Sequence, residues 1–168
     1  VEALLALYNQ GRLAEVIERT NALVEKFPDE IVLFNILGAA NAGLKRIDDA
    51  IESYNRAILI DPSVAALHNN LGNAQQDKVD LAAAIASFGK ALELDPDYAE
   101  AHSGLGGALK DSGDIPAAID SYNRALAINP DFAEALNNLG NAYREQGDFP
   151  AAVERYKRAL AIRGDYAE

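Results

Sequence analysis

The chain has 168 residues, of which 49% are hydrophobic and 7% aromatic, enough to bury a substantial core. Its net charge is −11, and such a surface repels the phosphate backbone, so we expect no nucleic-acid partner. The lack of cysteine excludes disulfides and thiolate sites; because no signal segment or long apolar run occurs, we expect no membrane insertion and favour a cytoplasmic location.

The first segment, about residues 1–30, is predicted to form two short helices over 2–10 and 13–26. Gly11 marks the turn between them, and Pro28 marks the end of the segment. The first of these helices contains four large apolar residues, which is more than we expect its partner helix to bury: Leu4, Leu5, Leu7 and Tyr8.

The rest of the chain repeats with a period of 34 residues, and the first segment is a degenerate copy of the same pattern. Proline, glycine, alanine and aromatic residues recur in phase: Pro28, Pro62, Pro96 and Pro130; Gly38, Gly72, Gly106 and Gly140; Ala50, Ala84, Ala118 and Ala152; Tyr54, Phe88, Tyr122 and Tyr156; Ala57, Ala91, Ala125 and Ala159. A period of this length is typical of arrays that stack one supersecondary unit. The repeated units are 31–64, 65–98, 99–132 and 133–166.

Each unit is predicted to contain two helices, because its apolar residues recur at three- and four-residue spacing. The predicted ranges are 31–44, 47–60, 65–78, 81–94, 99–112, 115–128, 133–146 and 149–162. In the last unit Gly147 suits a left-handed turn and Asp148 suits the N-cap of the second helix. Lys45 and Val79 replace the turn glycine in two units, which we expect to cost about 1 kcal/mol each. The glycine and alanine columns leave room for close helix approach, and the aromatic column fills the space beside them.

These residues resemble the tetratricopeptide repeat family. The family pattern matches Leu136, Leu139, Gly140, Tyr143, Ala152, Tyr156 and Ala159, with Gly164 in place of the final proline. The first large position is never Trp, but Phe34, His68, His102 or Leu136. The resemblance implies one all-α domain, 1–168: a tetratricopeptide-repeat solenoid of five helix-turn-helix units forming a curved superhelix. The pattern is most similar to repeat arrays of O-linked N-acetylglucosamine transferases and of bacterial sulfotransferase fusions.

The resemblance also implies a concave groove lined by the first helix of each pair. Asparagine is a poor helix former, yet it recurs there, and a row of amides can pair with an extended peptide backbone. Simple duplication without a role for asparagine is the alternative. The predicted peptide-binding groove contains Asn35, Asn69, Asn70, Asn73, Gln76, Lys110, Asn137, Asn138, Asn141 and Arg144.

We therefore expect a non-enzymatic scaffold that binds a protein or peptide and needs no cofactor. Asn69 and Ser103 occupy positions that are basic in relatives with a carboxylate clamp, and the mildly acidic groove disfavours an acidic peptide tail. His68 and His102 lack a third metal ligand, so we expect partial burial instead of a metal site. A targeting arm of a larger glycosyl- or sulfotransferase is one alternative, and a module that stacks head to tail is another. The stacking surface would include Val153, Tyr156, Leu160 and Ile162.

Overall fold

The computed structural model describes residues 1–164, apart from the side chain of Arg163. Within these residues the chain forms ten α-helices and no strand: α1 Glu2–Asn9, α2 Leu13–Val24, α3 Ile31–Gly43, α4 Ile47–Ile60, α5 Ala65–Asp77, α6 Leu81–Leu94, α7 Ala99–Asp111, α8 Ile115–Ile128, α9 Ala133–Gln146 and α10 Phe149–Arg163. Every predicted helix is confirmed, with bounds that differ by at most two residues. The last two positions of the fifth predicted unit, 165 and 166, lie outside the described residues.

The helices form two compact units, Val1–Leu94 with α1–α6 and a second unit from Asp95 onward with α7–α10. In the first unit α3 packs on α4 and α5 packs on α6, while α2–α3 and α4–α5 contacts join successive pairs. The first helices of the pairs also touch, α1 with α3 and α3 with α5. In the second unit α7 packs on α8, α8 on α9 and α9 on α10, and α7 touches α9.

Glycine and an aromatic ring meet inside each complete helix pair, as the repeat predicts. A Cβ atom placed on Gly72 would lie 2.8–3.0 Å from ring atoms of Phe88, and one on Gly140 would lie 2.6–3.0 Å from the ring of Tyr156. The alanine columns are buried beside these rings, for example Ala84 with no exposed surface. Glycine is therefore needed because the ring of the second helix occupies the space of its side chain.

The turns inside the pairs all require a left-handed residue, and two of them lack glycine. Lys45 has φ +59° and Val79 has φ +65°, where Gly147 has φ +88°. Lys45 and Val79 therefore adopt a left-handed backbone conformation that L residues avoid, as the sequence predicts. After the Gly147 turn, Asp148 accepts a hydrogen bond from the Ala151 amide at 3.1 Å, which confirms the predicted N-cap.

The apolar residues of α1 divide into two groups. Leu4 and Leu7 are 3% and 7% exposed and pack with Val16, so only two of the four residues are buried, in agreement with the expectation that the partner helix cannot bury them all. Leu5 and Tyr8 remain exposed. In α10, exposed apolar side chains occur as predicted, whereas Tyr156 is half-buried; the exposed ones are Val153, Leu160 and Ile162.

Both histidines are buried at the start of a first helix, as the sequence predicts. The His68 imidazole Nε2 lies 2.9 Å from the Pro62 carbonyl oxygen, and His102 Nε2 lies 3.0 Å from that of Pro96. Since a carbonyl oxygen only accepts, each Nε2 carries the proton and donates it. The histidines thus tie a first helix to the turn that precedes it.

Candidate peptide-binding face

The first helices of the first unit expose a common surface, here called the first-helix face and defined by Tyr8, Asn35, Ala39, Asn70, Asn73 and Asp77. At its centre the Asn70 side-chain amide donates a hydrogen bond to Asn35 Oδ1 at 3.0 Å, which links α5 to α3. Each amide has two donor hydrogens and an oxygen with two lone pairs. The bond uses only part of this capacity, so both side chains retain groups that can pair with a ligand.

A cleft of about 320 Å³ lies beside this hydrogen bond. Small side chains from α3 make room for it, and polar side chains from α5 form one wall. Its lining consists of Tyr8, Ala39, Ala42, Gly43, Tyr54, Asn70, Asn73, Ala74 and Asp77. The polar groups of the cleft are therefore two phenols, two amides and one carboxylate.

Tyr54 reaches the cleft from α4 although it is almost fully buried. Burial, with a smaller contribution from the nearby Tyr8 phenol, raises the pKa of Tyr54 to about 12. Removing a phenolate from water is costly, which is why burial favours the neutral form. Tyr54 therefore stays protonated at neutral pH and can donate a hydrogen bond.

Asp77 marks the end of α5 and has a charged neighbour. The Lys45 ammonium lies 3.1 Å from Asp77 Oδ2, and the two side chains are 78% and 48% exposed. An exposed pair of this kind contributes only about 0–1 kcal/mol, because water screens the charges and both side chains lose freedom. A ligand cation can therefore compete with Lys45 at low cost.

The remaining predicted residues of α5 differ in accessibility. Asn73 is exposed and makes no side-chain hydrogen bond to the described residues, so its whole amide is open to a ligand. Asn69 is 5% exposed, and its buried Oδ1 has no hydrogen-bond partner within residues 1–164. Gln76 is half-buried and interacts within the chain. The three predicted positions thus offer a ligand very different surfaces.

In the second unit the predicted residues lie on α7 and α9. The Tyr156 hydroxyl donates to Asn141 Oδ1 at 2.8 Å, so this asparagine already serves the packing of α10. The Lys110 ammonium lies 2.7 Å from Asp111 and 3.9 Å from Glu145. Three further predicted residues remain accessible. Asn137 and Arg144 are exposed, and Asn138 is half-buried.

Tyr122, one unit before Tyr156 in sequence, has no such acceptor. The position that corresponds to Asn141 is Gly107, and the buried Tyr122 hydroxyl has no hydrogen-bond partner among the described residues. Burial and the carboxylates of Asp111 and Glu145 raise its pKa well above the ordinary tyrosine value. Burial and these carboxylates together disfavour a further negative charge at this hydroxyl.

A second cleft in the first unit, about 370 Å³, lies on another side of α3, between α2 and α4. Its charged lining has both signs, with Arg46 and Arg56 beside Asp49 and Glu52. Because these charges compensate, the cleft favours neither a cationic nor an anionic ligand. No motif in the sequence predicts this cleft.

Two phenols of the first-helix cleft, Tyr8 and Tyr54, were also missed. The sequence offers no clear signal for Tyr54: Ala39 lies opposite it where two other pairs have Asn73 and Asn141, but the still smaller Gly107 lies opposite Tyr122, which is fully buried. No signal exists for Tyr8 either, because the degenerate first unit conceals its position in the repeat.

Among residues 1–164 no group of three His, Asp or Glu side chains could hold a metal ion. In the same part of the chain, the helices are too short or too polar to cross a membrane.

Comparison with known proteins places these helix pairs in a family. A model described as "TPR repeat" matches residues 38–79, 80–113 and 106–144, and one described as "Tetratricopeptide repeat" matches 132–164. The chain belongs to the tetratricopeptide repeat family. The predicted fold class, an all-α tetratricopeptide-repeat solenoid of five helix pairs, is thereby confirmed. No curated protein matches the chain in sequence.

Solved structures support the same fold. MamA is 26% identical over 96% of this chain and 95% of its own, with a TM-score of 0.83. A thermophilic TPR protein of Thermus thermophilus, TTC0263, is 20% identical over 99% of this chain and 91% of its own, with a TM-score of 0.83. YrrB, a TPR protein with an unusual peptide-binding site, is 18% identical over 99% and 86% of the two chains, with a TM-score of 0.75.

Proposed function

We propose that this protein is a non-enzymatic scaffold that holds an extended segment of a peptide or partner protein along its first-helix face. The observation that carries the proposal is the set of amides on α3 and α5 with unused hydrogen-bonding capacity, Asn73 above all. Asparagine lowers helix propensity relative to alanine, so exposed asparagines inside a helix weaken it unless they serve another purpose. Binding a peptide backbone is such a purpose.

The chemistry of an amide suits an extended backbone. A peptide backbone presents alternating N–H donors and C=O acceptors, and an asparagine side chain can pair with both. The hydrogen bond from Asn70 to Asn35 fixes two of these amides, which lowers the entropy that a ligand must remove on binding. The cleft next to them offers space for one ligand side chain. YrrB, a protein of similar fold, has a peptide-binding site by its description, which supports the same class of ligand.

An array of fifteen-residue peptides with randomised sequences tests the proposal, followed by titration of the best binder. Asn73→Ala should weaken its affinity about two- to tenfold, the equivalent of one or two lost hydrogen bonds. Asn55→Ala is the matched control, because Asn55 is exposed on α4, away from the first-helix face. Both variants should fold, since alanine is the better helix former.

Two results would contradict the proposal. The array could contain no peptide that binds, or Asn73→Ala and Asn55→Ala could bind the selected peptide equally well. Either result would remove the first-helix face as a peptide site.

Self-association is a second function that one observation favours. Val153 and Leu160 on α10 are 49% and 43% exposed, and Leu5 on α1 is 47% exposed. Two different apolar surfaces that meet form a head-to-tail contact, which propagates from copy to copy. The net charge of −11 opposes it, so salt should promote it.

Sedimentation velocity at several concentrations and salt levels tests this second function. Val153→Glu should lower the average mass in high salt, whereas Leu59→Glu, at a residue 77% exposed on α4, should leave it unchanged. A monomer at every concentration and salt level would contradict self-association.

A further inference from the structure

The first-helix cleft has a chemistry more specific than that of a general peptide site. Its carboxylate comes from Asp77, its aromatic surface from Tyr8 and Tyr54, and its small apolar surface from Ala39 and Ala42. A carboxylate beside aromatic rings attracts cations, through its charge and through the negative face of the rings. An anionic side chain would meet repulsion from Asp77 and find no cation in the lining.

Lys45 shows that the carboxylate is placed to accept a hydrogen bond from an ammonium group. Its Nζ donates to Asp77 Oδ2 at 3.1 Å, although Lys45 is not part of the cleft lining. Both partners are largely exposed, so this internal cation is weakly held. A ligand ammonium or guanidinium that enters from the cleft can replace it and gain contact with the phenols.

We propose that the first-helix cleft binds a basic side chain, lysine or arginine, of the peptide held by the neighbouring asparagines. The ligand class is thus an extended basic segment. This inference rests on the proposed function, because it assigns one side chain of the peptide that the first-helix face binds.

The volume of the cleft, about 320 Å³, can accommodate a long aliphatic stem. Lysine and arginine have three or four methylene groups, which can lie against Ala39, Ala42 and the ring of Tyr54 while the charged end reaches Asp77. Tyr8 is 36% exposed, so part of its ring is available to cover the cation. A shorter or uncharged side chain could contact the apolar lining or pair with Asp77, but could not do both.

The charge of the whole chain also favours a cationic ligand. The protein as a whole has net charge −11. A basic peptide therefore meets an attractive field before it reaches the cleft, which raises its rate of association at low salt.

The test uses the best fifteen-residue binder from the array in four forms, with Lys, Arg, norleucine or Glu at the position that contacts the cleft. Norleucine matches the lysine stem without its charge. Lys and Arg forms should bind the full chain about two- to fivefold more tightly than the norleucine form at low salt, and the Glu form should bind least. High salt should remove the difference between Lys and norleucine.

Protein variants locate the effect. Asp77→Asn should abolish the preference for Lys over norleucine, while Asp48→Asn, whose carboxylate pairs with Lys78 outside the cleft, should retain it. Lys45→Asn should tighten binding of the Lys form, because the competing internal ammonium is gone and asparagine tolerates the left-handed turn. Circular dichroism of each variant confirms that the helices are intact.

The outcomes distinguish a failure of this inference from a failure of the proposed function. If the peptides bind, depend on Asn73, and show no preference for Lys or Arg over norleucine, the basic-ligand inference is overturned and the scaffold function stands. If the preference exists but survives Asp77→Asn, the cleft is the wrong site. If no peptide in the array binds, both the inference and the proposed function fail.

Discussion

The pairs α5–α6 and α9–α10 share the run Asn-Asn-Leu-Gly-Asn-Ala in their first helices but use it differently. Asn73 and Asn141 occupy the same repeat position, and Gly72 and Gly140 precede them. In α9–α10 the Tyr156 hydroxyl donates to Asn141, whereas in α5–α6 the corresponding ring is Phe88, which has no hydroxyl. One oxygen atom on the second helix therefore decides whether the asparagine supports packing or remains open to a ligand.

The largest expected effect is on the free energy of unfolding, and it differs between Gly72 and Gly140. Gly72→Ala should lower the free energy of unfolding by about 1–3 kcal/mol, because its Cβ would overlap the ring of Phe88, which is fully buried and cannot move away. Gly140→Ala should cost less, since the half-buried Tyr156 ring can shift. Urea denaturation measures both. Gly89→Ala is the control: its Cβ would meet no atom within 4 Å, so alanine should stabilise α6 by about 0.5–1 kcal/mol.

The shared hydrogen bond of α9–α10 is expected to have a smaller effect. Tyr156→Phe should lower the free energy of unfolding by about 0.5–1.5 kcal/mol, because Asn141 loses its donor. Urea denaturation again provides the measurement, and the double variant with Asn141→Ala gives the coupling energy between the two side chains. A coupling energy of zero would show that the hydrogen bond has no role in stability.

The two pairs also differ at the turn between their helices, which is Val79 in α5–α6 and Gly147 in α9–α10. Val79→Gly should raise the thermal stability by about 0.5–1 kcal/mol: glycine relieves the left-handed strain, and its greater freedom in the unfolded chain offsets part of the gain. Gly147→Ala should have the opposite sign. Equal or reversed signs in differential scanning calorimetry would contradict the assignment of strain to Val79.

The pair α3–α4 is expected to lose stability at alkaline pH, because the buried Tyr54 occupies the repeat position of Phe88 and Tyr156. Its pKa is raised from 10.0 to about 12, so the folded state favours the neutral phenol. The resulting stability is complete below pH 10 and is lost as pH rises towards 12. Tyr54→Phe should reduce this loss, and the tyrosinate absorbance of the wild type should contain a component near pH 12 that the variant lacks.

Sequence reasoning predicted the fold more completely than the site. The period of 34 residues determines the helix pairs, and their bounds follow because glycine, proline and capping aspartate recur at the same step. The solvent exposure of a particular side chain cannot be predicted from the repeat period. Asn69 and Asn137 share one repeat position, yet Asn69 is buried and Asn137 is exposed, since different neighbours surround them. The hydrogen bond of Asn141 and the phenols of the first-helix cleft likewise depend on contacts between helices.

The most direct test of the peptide-binding account is a titration followed by the side-chain amide signals in nitrogen–proton NMR spectra. The selected peptide with a central lysine is added to protein labelled with ¹⁵N, and the signals are assigned by single Asn→Ala variants. The account predicts that the amide signals of Asn70 and Asn73 shift on binding, while that of Asn55 does not. Shifts confined to Asn21 and Asn41, which line the cleft between α2 and α4, would contradict it and assign binding to the other side of α3.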